Sequence, residues 1–217
     1  MDFKQQRQIM VDSQVRVNDV TDPALVSAFL GVPREAFLPK ALQASAYAEM
    51  EFETGDGRAM WTPRDLGKML IALEPKPDAL ALVIAAGAGY SAALIGAMVE
   101  TVIALEDTEE AVEAMTERFA KIGLDQAVAI SGKLSEGVPD QGPFDVIFVA
   151  GMVSEVPQTW LDQIADGGRL GVVVAAGKGL GRARVYKRAG DIVSHRDVFE
   201  CCPPVLPGFE PAASFVF

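Results

Sequence analysis

The chain has 217 residues, half of them hydrophobic and 23% charged, which is ordinary globular composition with enough apolar side chain to bury a core, and this excludes a disordered chain. Its net charge of -11 and the absence of any Lys/Arg cluster argue against nucleic acid, whose phosphates such a cluster would have to neutralise. No linker-like tract interrupts the sequence, so one domain is expected over 1–217, mainly helical over 1–78 and an open α/β sheet over 79–217.

The start, Met1 to Arg7, is polar and lacks the apolar stretch of a secretory signal, so a cytoplasmic protein is expected. Asp22-Pro23 reads as an N-cap followed by proline at the first helical position, with Val26, Phe29 and Leu30 on one face and Pro33 as the break. Glu51 to Gly57 reads as irregular. Thr62-Pro63-Arg64-Asp65 reads as a capping box, Thr62 capping a free amide and Asp65 reaching back, at the start of a helix carrying Leu66, Met69, Leu70 and Leu73.

From Ala79 to Val99 no residue is charged, a length that formally suits a membrane span. The interior glycines divide it instead into a buried strand, a tight turn and a buried helix, so no membrane is expected. Strands are expected at 79–84, 101–105, 127–131, 145–150 and 169–175. Between them lie a helix with Val112, Met115, Phe119 and Ile122 on one face, and another with Trp160, Leu161 and Ile164 ending at Gly167-Gly168. This alternation implies βαβ crossovers and a doubly wound, mostly parallel sheet with flanking helices, a Rossmann-like α/β class with a helical N-terminal extension. Around Ala183–Tyr186 and Ile192–His195, a pair of strands is expected to close one edge. The basic stretch Lys178, Arg182, Arg184, Lys187 and Arg188 reads as a solvated strand edge, and His195 as a partly exposed strand residue. Cys201 and Cys202 are adjacent, which is not a zinc spacing, so they read as reduced thiols and no metal site is expected.

In open parallel sheets the ligand lies beyond the carboxyl ends of the strands, and the first glycine-bearing turn is its usual place. Gly87-Ala88-Gly89 stands there, and Glu106 ends the next strand, where a carboxylate can accept the two hydroxyl hydrogen bonds of a ribose. The same turn fits the dinucleotide pattern in its G-x-G-x-x-A form, Gly87, Gly89 and Ala92, so a nicotinamide oxidoreductase is a competing reading. Against it, a long helical segment precedes the first strand and no second substrate domain follows.

Six stretches together resemble the protein-L-isoaspartate O-methyltransferase family: Met10–Arg16, Val32–Pro39, the segment before Pro63, Gly87–Leu94, Pro143–Asp145 and Gly167–Leu170. They fall in that family's order and approximate spacing, and the likeness extends to about residue 175. It implies S-adenosylmethionine as methyl donor, held by Gly87, Gly89, Tyr90, Glu106 and the Lys133 position. It also implies an isoaspartyl protein or peptide as acceptor, methylated at its abnormal carboxylate as the start of protein repair.

The departures are as informative. Val83 and Ala85 stand where the family has an acidic residue and a glycine, Gly132-Lys133-Leu134 where it has Gly-Asp-Gly near the adenine, and Trp61 where it has its active serine. Thr62 is the neighbouring hydroxyl, so Trp61 and Thr62 are the candidate substrate-loop positions, with no intact catalytic residue expected. Each lost hydrogen bond to a charge removes roughly 1.5 to 3 kcal/mol, so the donor pocket is expected to be degraded. Two readings follow from the resemblance. One is a methyltransferase of this family with weak or altered activity. The other is an inactive homologue acting as an interaction or ligand-sensing module, which Trp61 favours because an indole fills the space an isoaspartyl side chain needs.

Overall fold

The computed structural model describes residues 2–177 and 179–211. Two short helices open the chain, α1 (Phe3–Met10) and α2 (Pro23–Gly31). Asp22 caps α2 as expected, its carboxylate accepting from the Leu25 amide at 2.9 Å, and the helix ends two residues before Pro33. The segment expected to be irregular is instead a small antiparallel hairpin, β1 (Phe52–Gly55) and β2 (Arg58–Met60). Its turn needs left-handed backbone at Gly55, Asp56 and Gly57, which two glycines and an aspartate supply at little cost. Helix α3 (Pro63–Leu73) follows.

The rest is the sheet and its helices: β3 (Leu80–Ile84), α4 (Tyr90–Gly96), β4 (Thr101–Glu106), α5 (Glu109–Ile122), β5 (Ala127–Ser131), β6 (Phe144–Val153), α6 (Gln158–Asp162), β7 (Ile164–Ala175), β8 (Gly181–Ala189) and β9 (Ile192–Cys201). The strand order is β5-β4-β3-β6-β7-β8-β9, parallel through β7 and antiparallel across β8 and β9. The chain winds outward from β3 to β5 and then returns to β6 on the other side of β3, so the turn after β3 lies at the topological switch point.

Both faces of the sheet are covered, which is why its central strands are apolar throughout. Ala81, Val83, Val102, Ala104, Val146 and Phe148 face the N-terminal helices, α3 and α4, whereas Leu82, Ile84, Ile103, Leu105, Ile147 and Val149 pack in a second cluster with Trp160 and Leu206. The uncharged stretch from residue 79 is thus a strand, a turn and a buried helix, and among the described residues no helix is long and apolar enough to cross a membrane.

One boundary differs from expectation. Gly167-Gly168 does not end a helix, because α6 stops at Asp162 and both glycines lie inside β7. The pairing of β6 with β7 shifts register there, Gly167 adopts φ +81°, and a Cβ on Gly168 would fall 2.9 Å from the carbonyl oxygens of Ala165 and Phe144. The glycines serve a bulge, which hydrophobic spacing does not distinguish from a helix end. At the edge, Arg182 and Arg184 pair with Asp197, while Arg188 donates to the carbonyls of Leu161 and Ile164. Lys178 lies outside the described residues.

Candidate functional site

Beyond Ile84 the backbone turns through Ala85, Gly87 and Gly89, all at positive φ, and the Ala86 amide donates to the Leu105 carbonyl. That bond ties the turn to the end of β4, where Glu106 is only 2% exposed. Its carboxylate faces the turn, as expected from the sequence, and Oε1 accepts from the Gly87 amide at 2.6 Å.

What the sequence reading missed is the other partner of that carboxylate. Arg58, the first residue of β2 and 4% exposed, donates from Nε to Oε1 and from Nη2 to Oε2, each at 3.1 Å. The Asp107 amide adds a fourth bond, to Oε2 at 3.2 Å. A carboxylate has about four acceptor sites, and here all are taken by the protein itself. Burial works against the Arg58 charge, but the carboxylates of Glu106 and Asp107 together outweigh it and hold the guanidinium above its ordinary value. The signal that could have revealed this element was Gly55-Asp56-Gly57, a hairpin-turn sequence between Phe52 and Met60.

These facts test the fit of an S-adenosyl nucleoside. The space a glycine leaves at such a turn is where a ligand makes its close approach. Here a Cβ on Gly87 would fall 3.2 Å from both Arg58 Cβ and Thr54 Oγ1, and one on Gly89 would fall 2.8 Å from Met115 Cγ. The cavity beside the turn, lined by Trp61, Tyr90, Ala86, Ala88 and Phe148 among others, measures about 10 Å³. That is room for one water at most. With Glu106 saturated and both glycine cradles filled, the residues in this arrangement do not fit the nucleoside.

Trp61 is 2% exposed and packs edge-on against Phe148, with ring centroids 5.2 Å apart. Its backbone is held by Arg34, which donates from Nη2 to the Trp61 carbonyl at 2.7 Å and from Nε to the Ala46 carbonyl at 2.8 Å. The Arg34 guanidinium also lies over the Tyr90 ring, 4.9 Å from its centroid, and burial lowers its pKa. Trp61 Nε1, the Tyr90 hydroxyl, Thr54 Oγ1 and Arg34 Nη1 are buried without a hydrogen-bond partner.

Thr62 caps α3, accepting from the Asp65 amide at 3.1 Å. The reciprocal half of the expected capping box is absent: Asp65 turns its carboxylate to Arg64 Nε at 2.9 Å, a charged donor that outcompetes a backbone amide. Lys133 is 77% exposed, paired with Glu136 at 2.8 Å, and does not line the cavity. The structure therefore brings Gly87, Gly89, Tyr90, Glu106 and Trp61 together and leaves Lys133 in solvent. His195 packs against Tyr186 with its ring tilted in the edge hairpin, and among the described residues no cluster of His, Cys, Asp or Glu is placed to hold a metal.

The family model for protein-L-isoaspartate(D-aspartate) O-methyltransferase matches residues 5–202. A protein-L-isoaspartate O-methyltransferase of Methylorubrum extorquens is 33% identical over 196 residues, 90% of this chain and 86% of its own length. One from Methanoculleus marisnigri is 29% identical over 189 residues, 87% of this chain and 86% of that one. A solved protein-L-isoaspartate O-methyltransferase superposes with a TM-score of 0.81 at 24% identity, over 94% of this chain and 66% of that longer one. Another, from Plasmodium falciparum in complex with S-adenosyl-L-homocysteine, gives 0.78 at 18% identity over 95% of this chain and 98% of its own. At those identities the two structures speak to the fold, which they share with the doubly wound sheet described above.

Proposed function

Since the chain belongs to the protein-L-isoaspartate O-methyltransferase family, we propose that it works in that family's chemistry, methyl transfer from S-adenosylmethionine to the carboxylate of an isoaspartyl residue in damaged protein. The observation that carries this reading is the family match over residues 5–202. Methylation of an ionised carboxylate moves no proton, so alignment of the reactants is the main demand on the protein, and the loss of the serine at Trp61 does not by itself abolish the reaction. Thr62 is the nearest hydroxyl in sequence, although its side chain is engaged as a helix cap. With no basic cluster and a net charge of -11, the acceptor is a protein or peptide rather than nucleic acid, met in the cytoplasm.

Incubation with radiolabelled S-adenosylmethionine and an isoaspartyl peptide tests the reading. Incorporation above a no-enzyme control, absent with the aspartyl peptide, supports it. A folded protein that incorporates nothing defeats it in favour of a second reading, a non-catalytic homologue acting as an interaction or ligand-sensing module. That alternative is favoured by the filled donor site and the buried Trp61.

A further inference from the structure

Two of the features that exclude the nucleoside, the saturated Glu106 and the filled space at Gly87, come from one element. The β1–β2 hairpin lays Arg58 across the Gly87 turn, and its guanidinium meets Glu106 with two parallel bonds, the pattern a ribose diol would make with the same carboxylate. The hairpin is gripped from its other side. A Cβ on Gly57 would fall 2.6 Å from Pro207 Cγ, so the hairpin turn lies directly against the C-terminal segment. That segment is itself anchored along β6: the Met152 amide donates to the Pro204 carbonyl and the Leu206 amide to the Met152 carbonyl, Leu206 is fully buried over Gly151, and Ser154 donates twice to the Phe209 carbonyl.

We infer that the nucleoside site of this chain is shut from within: Arg58 stands in for the ribose on Glu106, the segment around Pro207 latches the hairpin that carries it, and a nucleoside enters only when the hairpin leaves. The inference rests on the family reading for the identity of the nucleoside, but the closure is a property of this chain's own residues. It makes Arg58 a competitor of the ligand. Two charge-assisted hydrogen bonds must be broken before the ribose can bind, so their removal should strengthen binding by about 100-fold or more.

The test is calorimetric titration of S-adenosyl-L-homocysteine into the wild-type protein, Arg58→Met and Pro207→Ala. Arg58→Met keeps the apolar stem that packs on Gly87 while deleting the guanidinium, and Pro207→Ala loosens the latch without touching Glu106. Arg58→Met should bind about 100-fold more tightly than wild type, and Pro207→Ala should gain in the same direction by less. Wild-type affinity equal to that of Arg58→Met overturns the inference, and so does binding by none of the three. Should Arg58→Met fail to fold, hydrogen exchange on the wild-type protein decides. Ligand must speed exchange of the 52–60 amides, whereas unchanged or slower exchange in bound protein overturns the closure. The family reading fails separately: an Arg58→Met protein that binds the ligand tightly yet methylates no isoaspartyl peptide leaves the closure standing and removes the proposed reaction.

Discussion

Glu106 and Lys133 stand at the ends of neighbouring strands, yet they have met opposite fates. Glu106 ends β4, is buried and carries four hydrogen bonds; Lys133 lies two residues past β5, is exposed, and is paired only with Glu136. One position that the resemblance assigns to the cofactor is a structural anchor, and the other lies in solvent. Chemistry retained at a site therefore does not show that the site is open, because the carboxylate expected to hold a ribose now holds the protein together. Stability measurements separate the two positions. Glu106→Ala leaves Arg58 buried beside only the half-exposed Asp107, and the loss of one partner of a buried pair costs about 3 to 5 kcal/mol. Lys133→Ala should leave the urea midpoint unchanged. Equal midpoints for the two variants would break the comparison.

Trp61 sharpens it from the substrate side. Its indole is part of the core between β6 and α3, so Trp61→Ser should cost about 3 kcal/mol as a large-to-small core change. The substitution installs the serine that the resemblance implies at this position but leaves Arg58 on Glu106, so peptide methylation should not rise to the level of an active relative. A rise of that size would show that the indole, rather than the closed donor site, limits the protein. The cap at Thr62 is a smaller matter: Thr62→Ala should lose about 1 kcal/mol in urea unfolding, and an unchanged midpoint would deny the Asp65 amide bond its role.

Much of the fold was legible because parallel strands covered on both faces must be apolar, and because Asp22, Thr62 and the glycine turn write their local structure directly into the sequence. The position of Glu106 beside the turn followed from the same grammar. Its partner did not. Arg58 is 48 residues away along the chain, on a hairpin with strands of four and three residues, too short for hydrophobic alternation to register. The Gly167-Gly168 bulge escaped for a related reason, since a glycine pair after apolar residues serves a helix end or a strand irregularity equally well. Local rules read elements. The closure of the site is a long-range pairing that only the assembled chain displays.

Glu51, the residue just before β1, completes the comparison as a carboxyl in the hairpin region that forms no ion pair among the described residues. Burial raises its pKa to about 7 from an ordinary 4.5, and the nearby Asp65 carboxylate adds to the shift. The folded chain thus keeps this proton up to about 7, whereas the unfolded chain releases it near 4.5. Between those values the unfolded state binds fewer protons, so the slope of unfolding free energy with pH is negative for this group. Its contribution is complete below the unfolded value and is lost as the pH climbs through about 7. Glu51→Gln keeps the shape of the protonated acid and cannot ionise, so it holds that contribution at every pH. Urea midpoints measured from pH 5 to pH 8 should therefore show wild type falling steadily behind Glu51→Gln. Carboxylates that do not interact with Glu51 contribute equally in both proteins and cancel in the difference. A gap between the two that stays constant over this range would mean that Glu51 ionises as freely as an exposed acid, and that the half-buried position the structure gives it does not hold its proton.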